Sequence, residues 1–153
     1  MHIVLVLHNL LRWAVLLFGL WTLLNSLTGY FGKRNYTAND NRSNLLFMIS
    51  CDIQLLLGLI LYVSNGWFDR LKHLGENMKD PYTRFFTLEH LTMMLLAWIL
   101  VHIGRASVKR ATTDTAKHKK MLTFFGLAIV LILISIPWPF RGALGSHPWF
   151  RIN

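Results

Sequence analysis

The sequence predicts an all-α integral membrane protein, an up-down-up-down four-helix bundle, and three observations carry that prediction. Of its 153 residues, 54% are hydrophobic and only 15% charged, with a mean hydropathy of +0.41. A soluble domain carries about a quarter charged residues to cover itself with water-facing side chains. The apolar residues gather into stretches over 3–27, 45–63, 85–104 and 121–138, each near the ~20 residues with which a helix crosses ~30 Å of hydrocarbon. The connections 28–44, 64–84 and 105–120 are short, so neighbouring helices are expected to run antiparallel. The strict alternation of a barrel strand is missing, and helices satisfy their own backbone groups in lipid. Length allows a single transmembrane domain spanning 1–153.

The first stretch follows Met1 without a basic region, and no small-residue cleavage pattern closes it. It also contains His8, Asn9 and Arg12, so it reads as a retained helix rather than a signal peptide. In the second, Asp52 and Gln54 lie near the middle and ~200° apart around the helix. Gln54, Gly58 and Tyr62 share one face, with Gly58 allowing close helix approach. Trp67 and Phe68 follow at the level of an aromatic belt. The third carries Glu89 and His90 near one end and His102 near the other. The fourth is stopped by Pro137 and Pro139 beside Trp138, another belt residue. Thr113 or Asp114 is expected to cap its helix ahead of the membrane, placing Lys117, Lys119 and Lys120 among the headgroups.

Charge sets orientation. Loops one and three hold nine lysines and arginines, against six in the middle loop and C-terminal segment. The positive-inside rule then places loops one and three in the cytoplasm and both termini outside. The net charge of +9 flanks the spans, as topology and anionic lipids favour, and lacks the aromatic interleaving of a nucleic-acid surface. No nucleic-acid partner is expected. The lone Cys51 excludes an internal disulfide framework and a cysteine-rich metal site.

Ionisable residues at membrane depth are costly and normally face the bundle interior and pair. His8, Arg12, Asp52, Gln54, Glu89, His90 and His102 are the polar candidates here. Arg12 and Glu89 sit at matching depth in the outer half and are expected to form an ion pair between helices one and three. His8 and Arg12 share a face at i, i+4, and His90 lies at a similar depth. Two imidazoles on different helices can bind the iron of a b-type haem from both sides. Gly19, Ala97, Met93 and Met94 provide small or adaptable neighbours, and Arg12 or Arg84 a cation for the propionates. His102 lies ~18 Å along the axis from His90, with only His118 as a partner for any second haem, and is expected instead at the headgroups. Asp52 is expected to be protonated or bonded to a neighbour such as Arg12, or to join Gln54 in a proton or quinone path. No HExxH, phosphate-binding glycine loop or serine–histidine–aspartate arrangement is present.

Five segments together carry a resemblance: residues 7–13 (LHNLLRW), 53–58 (IQLLLG), 86–90 (FTLEH), 103–106 (IGRA) and 109–114 (KRATTD). Over nearly its whole length the chain resembles a family of small bacterial four-helix membrane proteins catalogued as cytochrome B-like. The resemblance implies haem b, with His8 and His90 as axial ligands, in a bacterial inner membrane. The chain lacks the four histidines at fixed spacing of the long multi-helix cytochromes b. Electron transfer with a quinol or a membrane redox partner is the expected function. The alternatives are an accessory subunit of a homo-oligomer or larger membrane complex, and a proton or metal conduit built on Asp52, Glu89 and His90.

Overall fold

A computed structural model describes residues 2–145 and 149–150. Of the described residues, 84% are helical and none lies in a strand. Four helices are long and apolar enough to cross a membrane: α1 (His2–Phe31), α2 (Ala38–Ser64), α3 (Pro81–Arg110) and α4 (Asp114–Ser135). This is a helical membrane protein. Each helix occupies one of the stretches read from hydropathy, and the ends differ for local reasons. Helix α2 starts seven residues before Leu45 because Asp40 in its first turn accepts hydrogen bonds from Thr37 N and Oγ at 2.7 and 2.8 Å. Asp80 caps α3 by accepting from Thr83 N at 2.8 Å, with Pro81 at the first helical position, where its missing N–H costs nothing. Thr113 is the cap of α4, accepting from Ala116 N at 3.2 Å. That helix stops at Ser135, because Ile136 precedes a proline and adopts ψ 129°.

Packing runs around the bundle: α1 lies on α2, α2 on α3, α3 on α4 and α4 on α1. Helices α1 and α3 therefore stand diagonally. Phe47, Val101, Met121, Phe125 and Ala128 form the fully buried centre, where Phe47 meets Phe125 edge-on at 5.9 Å. Large apolar side chains also cover the outside, among them Leu17, Leu24, Leu56, Leu127 and Val130, each more than half exposed. Hydrocarbon is the solvent such a surface requires.

Where loops one and three meet the bundle, the interior is polar. Asp40, Ser43, Asn44, Arg105 and His118 are all buried there. Arg105 Nη1 donates to Asn41 O at 3.2 Å, to Asn41 Oδ1 at 2.8 Å and to Asn44 Oδ1, while Asn44 Nδ2 donates to Tyr36 Oη at 2.9 Å. Burial pushes the Tyr36 phenol above its ordinary range. Arg34 holds its proton more tightly than a free arginine because its guanidinium is hydrogen-bonded to Asp40.

The middle loop is wound into short helical turns over Trp67–Arg70, Leu71–His73 and Leu74–Asn77. Trp67 turns inward to stack near Phe86 at 5.6 Å, with the Arg70 guanidinium 4.3 Å from its ring centre.

Candidate functional site

At the end of the bundle away from the buried arginine, the four helices do not close. The cleft between them measures about 150 Å³, several times the room one water needs. His8 and Arg12 of α1, Gln54 and Gly58 of α2, His90 and Met94 of α3, and Ile132 of α4 line it. Both histidines paired from depth alone thus border one cavity.

Local winding places His90. Residues Phe85–Glu89 form a π-helical turn inside α3, so that His90 N donates to Phe85 O, five residues back. Such wide turns misalign backbone groups and recur at functional sites. The Thr87 carbonyl inside this turn accepts the Tyr62 hydroxyl of α2 at 2.6 Å. His90 Nδ1 lies 2.8 Å from Ser135 O of α4. A carbonyl only accepts, so Nδ1 carries the hydrogen and Nε2 keeps its lone pair. Nε2 has no hydrogen-bond partner.

His8 sits opposite a glycine. A Cβ at Gly58 would lie 3.2 Å from His8 Cε1, so a larger residue would press on the ring. Gln54 Nε2 donates to His8 O at 3.0 Å and fixes this turn of α1 against α2. Several buried polar atoms around the cleft have no partner: His8 Nδ1, Arg12 Nε and Gln54 Oε1. Orphaned buried polar atoms are rare and commonly mark a site for water or a ligand.

The expected Arg12–Glu89 pair does not form. Glu89 Oε1 accepts instead from Arg84 Nε at 2.7 Å, across the π-helical turn of its own helix. Arg12 Nη2 donates to Trp149 O at 2.8 Å. Matching depth was not enough, because α1 and α3 are diagonal while Arg84 is a neighbour of Glu89 in the chain. Arg84 is thereby committed, which leaves Arg12 as the cleft's cation. Aromatic residues gather at its mouth, with Trp13 stacked on Phe150 at 5.2 Å.

Asp52 and Gln54 do part company, as their ~200° separation requires. Gln54 lines the cleft. Asp52 bonds neither to Arg12 nor to Gln54: its Oδ1 accepts from Trp98 Nε1 at 2.7 Å and lies 3.3 Å from His102 Nε2. His102 is therefore engaged with α2 rather than with headgroups. His118 does not share that site. It is fully buried against Gly29 and beside Tyr36, with ring centroids 5.5 Å apart. Gly19 packs on Phe47, away from the cleft, whereas Ala97 lines it.

Sequence reasoning missed Ser135 and Trp98 as supports of the site, and it placed Tyr62 on the face of Gln54 and Gly58 without its bond to Thr87. The polar Ser135 near the end of an apolar helix was a usable signal, and the tryptophan one turn before His102 was another. Among the described residues, no group of three or more histidine, cysteine or acidic side chains converges as a metal-ion site. Comparison of the chain with protein-family models, curated proteins and solved structures finds no match.

Proposed function

We propose that the protein is a membrane-embedded b-type cytochrome that holds one haem between His8 and His90 and transfers electrons to or from a quinol or a membrane redox partner. The observation that carries this reading is that two histidines from different helices border one cleft, with His90 Nδ1–H tied to a backbone carbonyl and Nε2 left free. Metal-binding histidines are oriented by such a bond from the other ring nitrogen. The donor set fits the group: two imidazoles for iron, Arg12 with an unpartnered Nε for a propionate, and a largely apolar lining. A porphyrin is larger than the cleft, and the unbranched Met94 is a side chain able to give way. Haem with two imidazole ligands supplies one-electron chemistry without an open coordination position. The protein's own part is to hold His90 by Ser135, to set His8 over Gly58, and to exclude water by the apolar lining.

A reduced-minus-oxidised spectrum of protein produced with ample haem should show the sharp α-band of low-spin haem b. His8→Ala and His90→Ala should each abolish it. Colourless wild-type preparations would overturn the reading and leave an accessory subunit of a membrane complex in its place. A band that survives both substitutions would overturn these ligands.

The proposal includes an up-down-up-down course in a bacterial inner membrane, with both termini periplasmic, supported by the lysine and arginine bias. Reporter fusions after Arg42 and after Lys120 should read as cytoplasmic, and one after Asn153 as periplasmic. The opposite pattern would move the cleft to the cytoplasmic leaflet.

A further inference from the structure

Asp52 lies close to the midpoint of α2, where a charged side chain in hydrocarbon is costly. Such residues normally turn into a bundle. Here Asp52 and His102 remain 40% and 36% exposed on the outer face between α2 and α3. Their exposed neighbours Ile49, Leu56 and Ile99 are apolar, so this is a polar spot on a lipid-facing surface.

The hydrogen bonds define what the spot lacks. His102 Nδ1 lies 3.1 Å from the Trp98 carbonyl and so carries a hydrogen. Its Nε2 faces Asp52 Oδ1 at 3.3 Å, so that oxygen is already engaged by both rings. Trp98 Nε1–H also goes to Oδ1. Oδ2 receives nothing, although the carboxyl is partly exposed. The spot therefore offers one unused acceptor on an apolar outer face. The Trp98 ring, 4.3 Å from the His102 ring, also lines the cleft of His8 and His90. One indole thus forms the wall between the two places.

We propose that Asp52, Trp98 and His102 form a binding site, entered from the bilayer, for the hydroxyl-bearing ring of a lipid-soluble hydroquinone. A phenolic O–H donates to Asp52 Oδ2, and the flat ring lies against the apolar residues around the pair. The inference deepens the cytochrome reading and rests on it for the ligand's role, since a hydroquinone is the electron donor soluble in this solvent. The site itself is defined without the haem.

The test measures binding, by equilibrium dialysis of the whole protein in detergent micelles, of a short-tailed benzohydroquinone and of its dimethyl ether, which keeps the ring but has no donor. Wild type should bind the hydroquinone about tenfold tighter than the ether, the worth of one hydrogen bond. Asp52→Leu should lose that discrimination, and His102→Gln should weaken it. His90→Ala, which removes a proposed haem ligand, should retain it. Equal binding of hydroquinone and ether by wild type, or undiminished discrimination in Asp52→Leu where that variant elutes as the wild type does, would overturn the site. Should Asp52→Leu fail to fold, unchanged discrimination in His102→Gln would overturn it. Discrimination by a protein that shows no haem band would leave the site standing and remove the cytochrome reading instead.

Discussion

Replacing Gly29 with valine should prevent the bundle from assembling. A Cβ built on Gly29 would lie 2.5 Å from His118 Cγ and closer still to Cε1 and Nδ1. Such an overlap is removed only by moving the ring, and His118 is fully buried, with Phe125 and Met121 of its own helix locked in the same core. Backbone movement of α1 away from α4 is the remaining route. Overpacking a core by even one methyl costs ~1–3 kcal/mol, so Gly29→Ala should lower the temperature at which the detergent-solubilised protein loses its monodisperse peak. Gly29→Val should fail to accumulate in membranes. His118→Ala removes the obstructing ring and should rescue Gly29→Ala. The double mutant should therefore be more stable than the sum of the single effects predicts, as expected for residues in contact. Additive losses would mean that the glycine is required for something other than this contact.

That contact illustrates what could and could not be read from residue order. Hydropathy located all four helices, because the ~20-residue requirement of a bilayer is a property of each segment alone. Their ends depended on caps, and Thr113 was legible as one while Thr37 with Asp40 was not. The histidines of the cleft could be matched by depth, since the rise per residue is fixed. The same reasoning misassigned Glu89, because depth says nothing about which helices are neighbours or where a helix is wound more widely. The π-helical turn at Phe85–Glu89 has no signature in spacing, and it is what brings Arg84 to Glu89. The partner of Asp52 was misjudged for a related reason: Arg12 was the conspicuous cation, but Trp98 and His102 lie on the helix packed beside α2. The polar end of the bundle was not legible as a unit, although His118 and Arg105 were each noticed separately. Its residues, Asn41, Asn44, Tyr36, Arg105 and His118, are spread over three helices and a loop. Each alone reads as an interfacial residue, and only their convergence makes them a buried network.

Arg34→Ala should be among the most destabilising substitutions in that network. The Asp40 side chain is wholly buried and accepts from Arg34 Nη1 and Nη2 at 2.7 and 2.6 Å, as well as from Thr37. Removing one partner of a buried pair leaves an uncompensated charge and costs about 3–5 kcal/mol. Arg34 keeps 33% of its side chain exposed, so solvent screening lowers the expectation to about 2–3 kcal/mol. Arg34 also donates to Asn25 O at 3.0 Å, and so ties α1 to the loop that starts α2. Arg34→Lys should recover only part of the loss, because an ammonium cannot make the forked contact with both carboxylate oxygens. Asp40→Asn should be milder than Arg34→Ala, since an amide oxygen still accepts from Thr37 N and no buried charge remains. Combining Arg34→Ala with Asp40→Asn should restore stability relative to Arg34→Ala alone. Thermal unfolding in detergent distinguishes the cases: if the double mutant is the least stable of the set, the cost lies in lost hydrogen bonds and not in a stranded carboxylate.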